Sequence, residues 1–193
     1  PVIAKNLKRI DTEPVYGLGI LPGRDEGGIY TLNAARSLKT FVDEVDNLML
    51  FDNDAWRSSG ESVGEGFDAI NRELVQRFGV LFSAGEITEG SDVAESVVDS
   101  SEIINTLKGG GISSLGYADV EVDEPKRSGL LSRLRDDSTD GIDSTEATNR
   151  VTSLVRKATL GRLTLPCEVS GTERALLVVA GPPAYLNRKG IEH

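Results

Sequence analysis

Four groups of residues have types and spacings that could bind or transform a ligand, and the first is the acidic loop at residues 22–28. This loop contains Asp25 and Glu26, follows an apolar run and precedes a helical pattern. Both acids would repel a phosphate at the start of that helix, whereas a carboxylate can accept two hydrogen bonds from a ribose diol. The chemistry therefore favours a ribose. The alternative is a tight turn whose acids stabilise the first turn of the helix.

The second group is Asn53 with its neighbours Asp52 and Asp54, directly after the apolar run at residues 47–51. An asparagine amide has a donor and an acceptor side by side, and a carboxylate can receive two N–H groups, so these side chains suit the edge of a purine. The alternative is a turn in which the Asx side chains cap the chain before Trp56.

The third group is the pair Phe67 and Asn71, which share a helical face because their spacing is i, i+4. An aromatic ring can stack on a base while an amide one turn later reads the edge of that base. The alternative is that Phe67 belongs to the core and Asn71 is solvated.

The fourth group is Glu95, Asp99 and Glu102, spaced i, i+4 and i+7 on one helical face. Like charges at this spacing destabilise a helix by a few tenths of a kcal/mol per pair, so stability does not explain them. Such a stripe could polarise a water molecule or hold a cation. The alternative is the solvated face of an acidic protein.

The apolar pattern predicts the elements that would position these groups. A helix at the start ends at Glu13–Pro14, and strands at residues 15–21 and 47–51 flank an amphipathic helix at 29–45. A strand–helix–strand unit with short connections makes the two strands parallel, which predicts an α/β fold. A long helix with a broad apolar face follows, with apolar positions from Val63 to Phe82.

The second half of the chain has a less regular pattern. We predict a helix at residues 93–107 closed by three glycines, a helix capped at 143–146, and strands at 112–122, 163–165 and 174–179. Residues 123–144 are mostly polar and predict a mobile loop, because they bury too little apolar surface to offset the entropy of ordering.

Composition excludes several classes of function. The chain has 193 residues with 21 Lys+Arg, 31 Asp+Glu, one His and one Cys, and a formal net charge of −10. This excess of carboxylates argues against nucleic acid as a partner, and one His with one Cys cannot build a zinc site or an internal disulfide. We also predict no membrane span, because no apolar run approaches about 20 residues.

Taken together and in this order, four segments resemble the tubulin and FtsZ superfamily, and most closely its archaeal CetZ branch. The segments are EPVYGLGILPGRDEGGIY at 13–30, VDNLMLFDNDAW at 45–56, VAESVVDSSEIINTL at 93–107 and RALLVVAGPP at 174–183. The match runs over nearly the whole chain and is weakest at 119–144.

The resemblance implies a GTPase that polymerises head to tail into cytoskeletal filaments in the cytoplasm. It implies that residues 1–60 are the second half of a GTP-binding domain, 61–85 a central linking helix, and 86–193 an activation loop and helix with part of an α+β activation domain. Its ligand is then GTP or GDP, and whether Mg²⁺ accompanies the nucleotide stays open. By the same resemblance, Glu26 contacts the ribose, Asn53 and Asn71 read guanine, and Phe67 stacks on the base. Asp99 and Glu102 activate water at the nucleotide of the neighbouring subunit.

Departures from the family pattern refine these expectations. The glycine-rich phosphate loop would precede Pro1, so we expect the chain to be an internal piece that does not hold GTP phosphates by itself. Tyr30 and Glu102 differ from the division-type FtsZ pattern and favour the CetZ branch, which is associated with cell shape. The alternatives are a non-catalytic acidic interaction module of the same fold and an unrelated α/β enzyme of small molecules.

Overall fold

A computed structural model describes residues 1–57, 63–84, 100–122 and 144–181. The elements are, in chain order, α1 (Val2–Ile10), β1 (Tyr16–Leu21), α2 (Gly28–Glu44), β2 (Asn47–Asp52), α3 (Asn53–Trp56), α4 (Val63–Ser83), α5 (Ser100–Leu107), β3 (Ile112–Ser113) and α6 (Ser144–Leu160). Short 3-10 turns lie at Arg24–Glu26 and Val169–Gly171.

The three strands form one parallel sheet in the order β1-β2-β3, which confirms the predicted α/β fold. Tyr16 pairs with Asn47 and Leu21 with Asp52, so β1 and β2 begin and end together. The central strand β2 is buried from Asn47 to Phe51, as expected for a parallel strand with both faces covered. Its apolar run is therefore the centre of the core.

The core has two clusters, one on each side of β2. Leu48 and Leu50 pack with Ala4 of α1, while Phe51 packs with Trp56 and Ile70. Alternate residues of a strand point to opposite faces, which explains why one apolar run supplies both clusters. In β1, a Cβ atom on Gly17 would lie 2.8 Å from the Phe41 ring of α2, so glycine permits this close helix packing.

Asp46 attaches α1 to the beginning of the sheet. Its carboxylate lies 2.8 Å from Lys8 Nζ and accepts a hydrogen bond of 2.7 Å from Val15 N–H. The hydrogen bond from Lys8, followed by that from Val15, holds the pKa of Asp46 below its ordinary value. Burial, with the nearby Asp46 and Glu13 carboxylates, raises the pKa of the Tyr16 hydroxyl.

The second half departs from the predicted strands. The strand expected at 112–122 is confined to Ile112–Ser113, and residues 163–165 form no ladder although they hydrogen-bond beside the sheet. Side-chain hydroxyls replace the ladder: Leu115 N–H donates to Thr164 Oγ1 at 2.9 Å and Leu165 N–H to Ser114 Oγ at 3.0 Å. Thr164 is fully buried, and its carbonyl also accepts a hydrogen bond from Asp52 N–H at 2.8 Å.

The prediction of a strand at 174–179 is wrong: these residues have no regular secondary structure, and none of the described segments pairs with their backbone. The helix predicted at 93–107 and the helix predicted to follow the cap at 143–146 correspond to α5 and α6 over the residues described. Gly109, Gly110 and Gly111 follow α5 with φ of 120°, 79° and 90°, values that favour glycine and end the helix as predicted. Residues 93–99 and the polar loop at 123–143 lie outside the described residues.

Candidate functional site

The acidic loop and the Asn53 segment, separate in sequence, meet at the carboxyl end of the sheet. Because β1 and β2 end together, the turn at Arg24–Glu26 lies beside α3. Arg24 Nε is 3.0 Å from Asp54 Oδ2, and Arg24 N–H donates to Asp54 Oδ1 at 3.1 Å. A second ion pair joins Arg57 to Asp25. These pairs connect the first two predicted groups into one site at the place where open α/β sheets bind ligands.

Glu26 closes the loop. Its Oε1 accepts a hydrogen bond of 2.8 Å from Gly23 N–H, and its own N–H donates to Gly23 O at 3.1 Å. The next residue, Gly27, has φ of 109° and so gives the chain the sharp change of direction into α2. The loop therefore has the tight-turn structure of the alternative interpretation, with the Glu26 carboxylate held at the carboxyl end of the sheet.

The sequence left two roles open for the Asn53 segment, a contact with a purine edge and a cap of the following turn. Asp52 takes the second role. Asp52 Oδ1 accepts a hydrogen bond of 3.0 Å from Asp54 N–H and caps α3. Asn53 takes no part in that cap: the residue is only 7% exposed, and its buried Oδ1 has no hydrogen-bond partner among the residues described. Buried polar atoms without partners are rare, so this acceptor, like the Oδ1 of Asn47 at the other end of β2, is a candidate for a further donor.

Phe67 and Asn71 lie on α4, the helix that packs against α3. Ile70, between them, is buried against Phe51 and Trp56. Phe67 is half-buried and Asn71 is exposed. Asn71 lies on an open face of the helix, together with Asp68, Arg72, Val75 and Gln76. The packing brings α4 to the Asn53 segment, but no hydrogen bond joins Asn71 to Asn53 in the described part of the chain.

Glu102 lies in a different region. It is exposed on α5, whose last residue Leu107 accepts a hydrogen bond of 3.4 Å from Asn47 Nδ2 at the beginning of β2. Asn53 lies six residues after Asn47, about 20 Å along the chain at ~3.3 Å per residue. Leu107 is about 7.5 Å along the helix from Glu102 at 1.5 Å per residue. Even a helix antiparallel to the strand, the orientation that brings Glu102 nearest, would therefore leave it about 12 Å short of Asn53 along the strand.

Asp99 and Glu95, the other members of the acidic stripe, lie outside the described residues. Within residues 1–57, 63–84, 100–122 and 144–181, no three His, Cys, Asp or Glu side chains converge as metal ligands do. In that same part of the chain, no helix is long and apolar enough to cross a membrane.

The sequence analysis missed a cationic and aromatic cluster next to Asn53. Two guanidinium groups lie over the Trp56 ring: that of Arg77 at 4.2 Å and that of Arg162 at 5.0 Å from the ring centroid. Arg77 is 6% exposed, which is uncommon for arginine. Arg77, Trp56 and Arg162 are far apart in the chain, so no sequence spacing links them. The one signal is that Arg77 falls on the otherwise apolar face of α4.

Comparison with known proteins identifies a family. The model of the C-terminal domain of tubulin-like CetZ proteins matches residues 60–193. The tubulin-like protein CetZ1 of Haloferax volcanii is 70% identical over 196 residues, which cover all of this chain and 50% of that protein. The chain therefore spans about half the length of the curated relatives it matches.

Two solved structures from Haloferax volcanii have the same architecture over the whole chain. One is a GDP-bound monomer of CetZ1, with a TM-score of 0.80 and 63% identity, of which this chain covers 48%. The other is a GTPγS-bound protofilament of CetZ2, with a TM-score of 0.79 and 44% identity, of which it covers 49%.

Proposed function

The chain belongs to the family of tubulin-like CetZ proteins, and on this premise we propose that it supplies the base-reading and activating parts of a GTPase that polymerises head to tail. The observation that carries the proposal is the buried Oδ1 of Asn53, which has no partner among the described residues and lies at the carboxyl end of a parallel sheet. The GDP and GTPγS bound by two relatives are the corresponding class of ligand.

Asn53 suits guanine better than adenine. Guanine presents an N–H and an amino group side by side on its pairing edge, and an amide oxygen accepts from such donors. Adenine has no N–H beside its amino group, so it would leave a buried acceptor less well satisfied, at about 1–3 kcal/mol. We assign Asn71 to the same edge and Phe67 to stacking on the base, because both lie on the helix that packs against α3.

We assign the ribose hydroxyls to Glu26. One carboxylate oxygen accepts from Gly23 N–H and so fixes the side chain, while a carboxylate has a second oxygen that can accept from a hydroxyl. The ion pairs of Asp25 and Asp54 with Arg57 and Arg24 hold this loop beside Asn53. Ribose and base contacts would therefore come from one rigid unit.

We assign the activation of water to Glu102 and Asp99 at the nucleotide of a neighbouring subunit. The support is the position of α5. The last residue of α5 is held at the beginning of β2, whereas Asn53 follows the end of β2. Head-to-tail stacking brings opposite ends of two molecules together, and the GTPγS-bound relative is a protofilament. A carboxylate there would accept a proton from the attacking water, which contributes typically 10²–10⁴-fold to a rate.

This assignment divides the chain as the resemblance implies. Residues 1–60 are part of the nucleotide-binding domain, residues 61–85 are the linking helix, which also contributes Phe67 and Asn71 to the base, and residues 86–193 serve activation. The cellular role we propose is that of a cytoplasmic cytoskeletal filament that influences cell shape.

The experiment is nucleotide binding and sedimentation with the longest natural form of the protein. We expect GTP to bind more tightly than ATP, and GTP or GTPγS to produce sedimenting polymer that GDP does not. Polymer that forms equally without nucleotide, together with equal affinities for GTP and ATP, would instead support the non-catalytic interaction module.

A further inference from the structure

Trp56 is the anchor that holds the short helix α3 in place. α3 has four residues, Asn53–Trp56, and a helix of one turn has no stability of its own. Its orientation must come from packing, and the Trp56 ring is 8% exposed with its centroid 5.5 Å from that of Phe51. Asn53 begins this helix, so the position of its amide depends on how firmly Trp56 is held.

Arg77 holds Trp56 from the central helix. Its guanidinium lies 4.2 Å from the Trp56 ring centroid and 5.4 Å from that of Tyr117. Its Nη1 donates to the Glu73 carbonyl at 3.1 Å and also to the Glu73 carboxylate. The Tyr117 hydroxyl in turn accepts from Gln76 Nε2 at 2.9 Å. Arg77 therefore has a fixed geometry, which flat stacking on an indole requires.

The second half of the chain reaches the same corner. The Arg162 guanidinium lies 5.0 Å from the Trp56 ring centroid. Two residues later, the Thr164 carbonyl accepts a hydrogen bond from Asp52 N–H at 2.8 Å, immediately before Asn53. The segment at residues 162–164 thus contacts both sides of Asn53 along the chain.

Burial of the Arg77 guanidinium has a free-energy cost that an apolar side chain in the same space would not have. Removing a guanidinium from water has a large free-energy cost, and an apolar side chain of similar volume often gives equal or better stability. Packing alone therefore does not account for Arg77, whereas a directional contact that fixes the angle of the indole does.

We propose that Arg77 is a positioning residue for guanine recognition, acting through Trp56 on Asn53, and that Arg162 extends this positioning to the second half of the chain. The inference rests on the proposed function, since it concerns how Asn53 meets its base. It makes the guanine site sensitive to the packing of the segment that follows α6.

The test compares GTP with inosine triphosphate, which lacks only the 2-amino group of guanine, on the longest natural form of the protein. The measured quantity is the ratio of the two dissociation constants. Partial unfolding lowers the amount of binding for both ligands and leaves this ratio unchanged, so the ratio reports positioning rather than folding. In Arg77→Met we expect the preference for GTP to fall about ten-fold. In Arg77→Lys, which keeps the charge without the planar group, we expect a smaller fall.

Arg162→Gln keeps the test decisive if Arg77→Met does not fold, because Arg162 is exposed. We expect it to lower the preference for GTP two- to three-fold, while Arg156→Gln, an exposed arginine of α6, leaves it unchanged. A preference that stays at the wild-type value in folded Arg77→Met, or in Arg162→Gln if the first variant is unfolded, overturns the inference. Absence of GTP binding by the wild type would instead overturn the proposed function.

Discussion

At the scale of single residues, Asn53 and Asn47 form a natural contrast at the two ends of β2. Both are buried, with exposures of 7% and 4%. The Asn47 amide donates to the Leu107 and Gly110 carbonyls at 3.4 and 3.3 Å, so it holds the end of α5. The Oδ1 atoms of both asparagines are buried without a partner among the described residues. The two differ in their amide nitrogens, because the Asn53 side chain makes no hydrogen bond to the described part of the chain. Asn47 therefore serves the fold through its Nδ2, and we assign Asn53 to the ligand.

We predict that Asn53→Leu weakens GTP binding about 10- to 100-fold without lowering stability, because it removes a ligand contact of about 1–3 kcal/mol. Asn47→Leu should instead lower stability and leave GTP binding nearly unchanged, since it leaves the Leu107 and Gly110 carbonyls without their donor. Titration with GTP and thermal unfolding of both variants check this. An Asn53→Leu protein that binds GTP like the wild type would contradict the role of Asn53 in reading the base.

The candidate site residues could be predicted from the sequence where they directly follow a strand. Glu26 and Asn53 each come just after an apolar run, and the ends of parallel strands meet, so their proximity was predictable. Arg77, Trp56 and Arg162 were not predictable, because their contact depends on how α4 and the segment after α6 pack. The roles of all the site residues remain predictions: Glu26, Asn53, Phe67, Asn71, Asp99 and Glu102.

At the scale of elements, the first half could be predicted well and the second half poorly. β1, α2 and β2 lie where the apolar pattern places them, because burial on both faces of a parallel strand requires a continuous apolar run. The segments at 112–122 and 163–165 also have strand-like composition. There the hydroxyls of Ser114 and Thr164 accept hydrogen bonds from backbone N–H groups and replace the regular ladder. β-propensity does not predict such side-chain bonds, because it reflects only residue type.

We predict that Thr164→Val lowers stability by about 1–3 kcal/mol, because it keeps the shape of the side chain but leaves Leu115 N–H without its acceptor. Thermal unfolding measures the loss, and amide exchange at Leu115 and Asp52 should accelerate. Thr172→Val, at an exposed threonine, is the matched control. Equal stability of the two variants would show that the Thr164 hydroxyl bond contributes nothing.

We predict a pH-dependent docking of α1 through Asp46. The pKa of Asp46 is lowered in the folded state, so its contribution is complete above the ordinary value of about 3.9 and is lost as the pH falls through the lowered value. Asp46→Asn should weaken α1 docking by about 0.5–1 kcal/mol at neutral pH. Amide exchange of α1, corrected for intrinsic rates, should show that the difference shrinks in acid. Asp43→Asn, an exposed acid of α2, should show no such dependence.

At the scale of the whole molecule, the shared active site that we propose makes activity a property of contacts between molecules. The end of α5 lies at the beginning of β2 and Asn53 follows the end of β2, so in our proposal one molecule offers Glu102 to the nucleotide of the next. The protofilament of the CetZ2 relative is an arrangement that could supply such contacts. Acidic residues on the same chain would then serve binding at one end and hydrolysis at the other.

We predict that Glu102→Ala leaves GTP binding nearly unchanged and slows turnover by about 10²–10⁴-fold, because the carboxylate is a proton acceptor at the neighbouring nucleotide. Its filaments should persist longer, whereas Glu121→Ala, at another exposed glutamate, should behave like the wild type. Mixing Glu102→Ala with Asn53→Leu subunits should restore some turnover, since the first binds GTP and the second supplies Glu102. Turnover per wild-type molecule should rise with protein concentration as filaments form. A rate per molecule that stays constant down to dilutions without filaments would rule out the shared site.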